Sequence, residues 1–170
     1  MDRPISQLPS DLGNFSKHFC DKLFEILPTI VAVEGQLFFE SSWDNQGFTD
    51  RSLTKWKKRK APKQFTKAHN ETAAYKTFRR KDAGRAILVS HGSDTKGTHL
   101  KDSIRSDANS ARVIFSTDKP YAQVHNEGGH AGRGKGFIMV KRQYMGPSQK
   151  LDQNIEAKLT REMNKFFETF

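Results

Sequence analysis

The stretch YAQVHNEGGHAGRGKGFIMVKRQYMGPS, residues 121–148, decides the fold of this chain. Pro120 can open a short helix, on which Tyr121, Val124 and His125 share one face. The glycine-rich, basic segment 128–136 follows, and glycine gives that segment conformational freedom, which predicts a mobile loop. Phe137 to Gln143 then resumes a strand-like pattern. A short helix, a loop and a strand in close succession indicate a mixed α+β fold.

The clearest single element is a long C-terminal helix. Its apolar positions advance by three or four residues, which places them on one face of a helix. Ser148 stands at the N-cap position after Pro147, and Asp152 favours the positive end of the helix dipole. The apolar stripe comprises Leu151, Ile155, Leu159, Met163, Phe166 and Phe170.

The N-terminal part predicts two helical segments after an arm. Residues 1–14 hold two prolines and a glycine with little periodicity, and therefore predict a flexible arm. An apolar stripe begins near Phe15, and Pro28 either ends this helix, kinks it or opens the next. The second segment runs from Thr29 to Ser42 and ends at the turn-forming residues 44–47.

Two further strands are predicted between these helical parts. Ile104–Ser106 and Arg112–Thr117 have strand-like patterns, and residues 107–110 between them predict a hairpin turn. With Phe137–Gln143 they predict a small antiparallel sheet of three or four strands. The apolar faces of helices and sheet must cover each other. We therefore expect an α+β fold, a small antiparallel sheet packed by N-terminal helices and a long C-terminal helix, in a single domain over residues 15–170.

Composition limits the classes of protein that the chain can belong to. The 170 residues suit one core, but the apolar content of 35% and the mean hydropathy of −0.76 are low for a compact globule. Part of the chain is therefore expected to become ordered only on assembly. Cys20 is the single cysteine, which excludes an internal disulfide. No apolar run is long enough for a membrane span, and the N-terminus lacks the layout of a signal peptide, so we expect a cytosolic protein.

The net charge of +10 is concentrated in one segment. Residues 51–81 contain twelve basic residues and one acid, so this segment carries +11 and the rest of the chain −1. Such a segment is either a solvated loop or a contact with DNA or an acidic partner. Trp56 within it either stacks on nucleic acid or anchors the segment to the core. The candidate contact residues are Lys57, Lys58, Arg59 and Lys60, with Arg133 and Lys135 from the glycine-rich loop.

Histidine and glycine motifs do not complete a catalytic or cofactor site. His125 and His130 are five residues apart, which places them about 140° apart around a helix, and a zinc-protease helix needs a spacing of four. A His-Asn nuclease site remains an alternative, although nothing in the sequence marks its partner residues. The segment 132–136 lacks the spacing and the following helix of a phosphate-binding P-loop. We predict no catalytic residue, no metal ligand and no cofactor.

Several motifs together resemble one family, the phage virion morphogenesis proteins, which complete the tail at the head–tail junction. The segment 121–129 resembles its Tyr-Ala-x-hydrophobic-His-x-x-Gly-Gly motif, and 141–148 resembles its basic-Arg-x-aromatic-hydrophobic-Gly-x-Ser motif. Gly97–Arg105 and Phe38–Lys60 resemble two upstream motifs, so that the resemblance extends over roughly residues 28–170. The residues that carry its two main motifs are Tyr121, His125, Gly128, Gly129, Arg142, Gly146 and Ser148.

The resemblance implies a structural virion protein and not an enzyme. It implies a homo-oligomeric ring of six or twelve copies at the phage neck or at the head-proximal end of the tail, assembled in the cytoplasm of the host bacterium. The expected partners are neighbouring neck, tail-tube or connector proteins, with contact to packaged DNA and none to a membrane. The motif residues are then structural, although Arg142 and Tyr144 could also form an intersubunit contact. The alternative is a DNA-binding or metal-dependent DNA-processing protein, which the basic segment 51–81 supports equally well.

Overall fold

The computed structural model describes residues 8–59, 71–77, 79–80, 84–89 and 99–169. Four α-helices lie within these ranges: α1 (Leu8–Asp44), α2 (Ala73–Thr77), α3 (Ala122–Glu127) and α4 (Gln149–Thr169). A 3-10 turn spans Lys101–Ser103. In the described ranges, no helix combines the length and the apolar character that a bilayer crossing needs.

In the part of the chain that the structure describes, six short strands form three separate antiparallel hairpins. They are β1 (Gly47–Thr49) with β2 (Leu53–Lys55), β3 (Arg105–Asn109) with β4 (Arg112–Ser116), and β5 (Gly129–Ala131) with β6 (Phe137–Met139). The α+β class predicted from the sequence is confirmed. A two-stranded hairpin is only marginally stable by itself, so each one depends on packing against other elements.

The predicted single sheet of three or four strands is wrong, and the sequence of the strands explains why. The outward positions of β3 are mostly polar, so no apolar face there favours a third strand. The predicted strand Phe137–Gln143 stops at Met139, because the amide of Arg142 donates to the carbonyl of His125 in α3. The predicted turn at 107–110 shifts to Ser110 and Ala111, while the ladder extends to the pair Asn109 and Arg112.

Helix α1 is one continuous helix where the sequence predicted an arm and two segments. Pro28 lies inside it, and residues 8–14 already belong to its first turns. Proline removes one donor from the helical ladder. Apolar burial continues beyond this position, with Ile30 only 8% exposed, so the segments on both sides remain helical. The predicted end of the helix is confirmed at Asp44, and residues 1–7 of the predicted arm lie outside the described residues.

The described residues group into two compact units. The first comprises the chain up to Leu37, the hairpin Arg105–Ser116 and the segment from Gln149 onward; the second comprises Phe38–Ile104 and Thr117–Ser148. Residues of α1 contribute to both units, because the division falls between Leu37 and Phe38. The single domain over residues 15–170 stays a prediction.

The first unit contains a cluster of four phenylalanines. Phe15 and Phe19 of α1 meet Phe166 and Phe167 of α4, with ring centroids 5.7 to 6.4 Å apart. Aromatic pairs at these distances stabilise beyond the apolar area that they bury. The C-terminal stripe predicted from the sequence includes buried positions at Leu151 and Met163. Its last residue, Phe170, lies outside the described residues.

Gly35 of α1 lies against the ring of Phe115 in β4. A Cβ atom at Gly35 would overlap the ring of Phe115, whereas a Cβ atom at Gly13 of the same helix would meet nothing within 4 Å. Glycine inside a helix is less stable than alanine by about 1 kcal/mol. The close approach of Phe115 therefore explains why the helix carries glycine at residue 35.

We predict opposite effects for the two alanine substitutions in α1. Gly35→Ala should lower the free energy of unfolding by about 1–3 kcal/mol, because the ring of Phe115 must move. Gly13→Ala should leave it unchanged or raise it by up to about 1 kcal/mol, because it only improves helix propensity. Urea unfolding of both variants measures the difference. An equal gain in both would show that Phe115 does not fill the space above Gly35.

Candidate functional site

The aromatic cluster Trp43, Trp56 and Tyr144 forms the centre of the second unit. Tyr144 is 1% exposed, Trp43 4% and Trp56 6%. The ring of Trp43 lies 4.9 Å from that of Tyr144 and 5.8 Å from that of Trp56, with the two indoles nearly perpendicular. Edge-to-face contacts of this kind are favourable because the ring edge is positive and the face negative. The cluster joins the end of α1, the residue after β2 and the motif segment 141–148.

Each polar atom at the edge of this cluster has a backbone acceptor. The indole N–H of Trp43 donates to the carbonyl of Leu88 at 3.3 Å, and that of Trp56 donates to the carbonyl of Gln143 at 2.6 Å. The hydroxyl of Tyr144 donates to the carbonyl of Ala122 at 3.2 Å. A buried donor without a partner costs about 1–3 kcal/mol, so these bonds fix the position of each ring. Of the two roles open to Trp56, the structure favours the anchor to the core.

Asn126 of α3 holds the segment that follows Arg142. Its Oδ1 accepts from the amides of Tyr144 and Met145 at 2.9 and 3.1 Å, and its Nδ2 donates to the carbonyl of Met145 at 3.0 Å. An asparagine amide offers donors and an acceptor in one plane, so it can pair with a strand-like backbone as a neighbouring strand would. This contact replaces the β-ladder that the sequence predicted beyond Met139.

Gln46 closes the C-terminal end of α1 against two other segments. It has a positive φ of 47°, its carbonyl accepts from the amide of Trp56 at 2.8 Å, and its Nε2 donates to the carbonyl of Trp43 at 2.7 Å. Its Oε1 accepts from the amide of Ile87. A left-handed residue after a helix is the usual way to turn the chain back on itself. Gln46 thus links α1, the residue after β2 and the segment 84–89.

Arg142 and His125, two of the motif residues, are neighbours with unusual environments. Arg142 is 8% exposed, its amide donates to the carbonyl of His125 at 2.8 Å, and its Nε donates to the carbonyl of Lys57 at 3.3 Å. Burial lowers the pKa of Arg142. Burial, and then the positive charge of Arg142, lowers the pKa of His125 below its usual value of 6.5. Burial is the main cause of both shifts, because removal from water disfavours the charged form of each group.

Three other motif residues position the chain around this pair. The hydroxyl of Ser148 donates to the carbonyl of Thr49 in β1 at 2.9 Å, so the end of the motif segment is bonded to the first hairpin. Gly146 has a φ of 144°, in the region that favours glycine. Tyr121 is 42% exposed, and its ring stands edge-on to that of His125 at 5.8 Å.

Gly128 and Gly129 end α3 and turn the chain into β5. Gly128 has φ 78° and ψ −166°, a conformation that essentially only glycine adopts. A Cβ atom there would lie 3.0 Å from the amide nitrogen of Lys141 and 3.1 Å from the carbonyl oxygen of Met139. Gly129 has a φ of 109°, with open space around it. Conformation and space both require glycine at residue 128, while conformation alone favours it at residue 129.

The basic candidate residues fall into different environments. Lys57 and Lys58 are exposed after β2. Arg59 is half-buried, and its Nη2 donates to the carbonyls of Arg85 and Ala86 at 2.6 Å each. Lys60 lies outside the described residues. Arg133 and Lys135 are exposed in the turn between β5 and β6, where the Nε2 of His130 donates to the carbonyl of Lys135 at 3.1 Å.

The chemistry of the site is that of hydrogen bonding and charge. Within the described ranges, no group of three or more His, Cys, Asp or Glu residues is placed to hold a metal ion. His125 and His130 lie on different elements, α3 and β5, so they do not share a helix face. The glycines between residues 132 and 136 form the turn of a β-hairpin and not a loop before a helix. The prediction that the chain has no catalytic residue and no cofactor stays a prediction.

Sequence reasoning missed the residues that organise the site. Gln46 was predicted only as one of the turn-forming residues 44–47, and Trp43 and Asn126 received no role. Asn126 lies inside the motif 121–129, and a signal for it was present, because an asparagine two residues before a pair of glycines can bond the backbone of an adjoining segment. Trp43 and Gln46 pair with residues far along the chain, so no local pattern marks these contacts.

We predict that Gly128→Ala destabilises the protein by about 1–3 kcal/mol. The variant adds backbone strain at a positive φ and a close contact with Lys141 and Met139. Gly134→Ala is the matched control, since Gly134 also has a positive φ of 62° but nothing within 4 Å. Thermal unfolding of both variants separates strain from contact. Equal losses would show that the contact with the segment after β6 contributes nothing.

We predict a loss of stability at alkaline pH that depends on Tyr144. Burial, with the charges of Glu127 and then Tyr121, raises its pKa from 10.0 to about 12. The folded state thus favours the neutral phenol, so this stabilisation is complete below pH 10 and is lost as the pH rises towards 12. The stability advantage of the native protein over Tyr144→Phe should shrink across that range. Urea unfolding at stepped pH tests this, and two parallel curves would contradict it.

Comparison with known proteins gives the site its context. Residues 49–164 match the model of the phage virion morphogenesis family. The comparison with curated proteins found no match, and the comparison with solved structures found none either. The matched range is narrower than the resemblance over residues 28–170, but it covers well over half of the chain and includes Trp56, Asn126, Arg142, Tyr144 and Ser148. This chain belongs to the phage virion morphogenesis family.

Proposed function

We propose that this protein is a structural subunit of a phage particle, which assembles into a closed ring at the neck or at the head-proximal end of the tail. The family match over residues 49–164 carries the proposal, because it assigns the chain a role in phage virion morphogenesis. In this function the ring completes the tail and joins it to the head. Its neighbours are neck, tail-tube or connector proteins, and the ring holds six or twelve copies.

The contacts of the motif residues support a structural role. The side chains of Asn126, Arg142, Tyr144 and Ser148 all donate or accept hydrogen bonds within the second unit. A catalytic group must face a substrate, whereas Tyr144 is 1% exposed and bonds the backbone of α3. Residues of this kind maintain a subunit's shape, which a ring needs because identical copies must present identical interfaces.

Exposed apolar side chains support assembly with other chains. Phe137 and Ile138 of β6 are 55% and 74% exposed, and Ile114 of β4 is 42% exposed. A closed ring joins one patch of each subunit to a different patch of the next, so each subunit needs two such surfaces. Surfaces of this type are covered when protein chains associate.

The exposed lysines favour the alternative function, DNA binding or DNA processing. Lys57 and Lys58 are exposed, and lysines in such positions attract polyanions in a salt-dependent manner. The ring function accommodates them as a contact with packaged DNA or with an acidic neighbour. A nuclease would differ from a ring subunit in one measurable respect, since it would cleave plasmid DNA in the presence of Mg²⁺ or Mn²⁺.

The location of the protein in the particle tests the proposal. Phage particles that carry a gold-labelled tag fused after Phe170 should show the label at the head–tail junction in negative-stain images. Particles that lack the protein should yield heads and tails that remain separate, because the joining ring is missing. Label on the capsid shell or on the distal tail would contradict the proposed position.

A second measurement separates structural and enzymatic functions. The purified protein should leave plasmid DNA intact when it is incubated with the DNA and either Mg²⁺ or Mn²⁺. Lys57→Gln with Lys58→Gln should unfold at the same temperature as the native protein, because exposed substitutions change stability by less than about 0.5 kcal/mol. If the native protein cleaves DNA in the presence of metal ions and the double variant does not, the structural function is wrong and the DNA-processing function is supported.

A further inference from the structure

A cavity of about 350 Å³ lies beside the motif residues of the second unit. Its lining includes three arginines and two histidines, and the described residues around it include no Asp or Glu. Arginine stays protonated in proteins, so the cavity holds at least three positive charges at neutral pH. The arginines are Arg59, Arg85 and Arg142, and the histidines are His99 and His125.

Arg142 is the deepest of these charges and has no acidic partner among the described residues. Its side chain donates to neutral groups: the carbonyl of Lys57, and the sulfur of Met139 at 3.9 Å from Nη1. Arg142 as a residue is 8% exposed, and a largely buried charge without an opposite charge is costly, so an anion in the cavity would offset that cost. The buried ring nitrogen Nδ1 of His125 also has no hydrogen-bond partner among the described residues.

The walls of the cavity limit which anion can enter. Ile87, Leu88, Leu100 and Tyr121 line it together with the cations, so it suits a group that has both an apolar stem and a negative end. A glutamate or aspartate side chain has this form. The phosphates of a DNA duplex lie on a convex surface and are contacted by exposed side chains, whereas the guanidinium of Arg142 is buried.

We propose that this cavity binds a carboxylate side chain presented by another protein chain. Arg142 and Arg85 donate to the carboxylate, and the aliphatic walls contact its stem. The carboxylate completes the pairing that Arg142 lacks within its own described surroundings. That the chain presenting the carboxylate is another virion protein rests on the proposed function. The presence of a carboxylate-binding site does not rest on it.

Acetate is a direct probe of the site in the intact protein. In an NMR titration, acetate should shift the side-chain signals of Arg142 and His125 in a saturable manner. Arg85→Gln should raise the apparent Kd for acetate about tenfold or more, as expected for the loss of one hydrogen bond to a charged group. Lys141→Gln is the matched control, because it removes the same charge from an exposed residue that does not line the cavity; its Kd should stay within about twofold of the native value.

Three results would overturn the proposal. The first is an acetate-induced signal shift that does not saturate. The second is an equal increase in the Kd for acetate in Arg85→Gln and Lys141→Gln. Both results would indicate a general attraction of anions. The third is a stronger response of the same two signals to inorganic phosphate or to a short DNA duplex, which would assign the cavity to phosphate. The titration uses isolated protein, so a negative result would contradict the carboxylate site alone. The ring function is tested separately by the labelling of phage particles.

Discussion

The burial of Tyr144 between Trp43 and Asn126 is the contact on which the second unit depends. The ring of Tyr144 packs on Trp43 at 4.9 Å, its hydroxyl bonds Ala122, and its amide bonds the side chain of Asn126. Through Trp43 the same cluster reaches Trp56 and the carbonyl of Leu88. Residues from five separate segments thus meet at the pair Trp43 and Tyr144. The small hairpins around it need such a centre, because none of them buries a core of its own.

Positive charge is the second constraint on this unit. The segment after β2 and the segment after β6 both carry arginines, and the fold brings Arg59, Arg85 and Arg142 to one cavity. Their guanidinium groups bond backbone carbonyls, which stabilises the local structure without neutralising the charge. Burial, and then the charge of Arg142, lowers the pKa of His125 at the edge of this cavity.

The family gives the chain a role in virion morphogenesis, and the structure suggests how the sequence motifs serve it. Gly128 reverses the chain after α3, Asn126 pairs with the backbone of residues 144 and 145, and the hydroxyl of Ser148 bonds the backbone of β1. These three residues therefore fix connections within the second unit. A subunit whose connections are fixed presents the same surface in every copy of an assembly.

The sequence by itself determined the α+β class, the end of α1 at Asp44, the C-terminal helix and the family. Periodicity, turn residues and motif spacing are local properties, and they can be recognised without knowledge of the fold. It did not determine that α1 continues through Pro28, that the strands form three hairpins, that Asn126 holds the motif segment, or that Gln46 reaches the segment 84–89. Those outcomes depend on partners 18 to 41 residues away for Asn126 and Gln46, and on burial around Ile30. Only the tertiary structure brings such partners together, because packing and long-range hydrogen bonds override local preference.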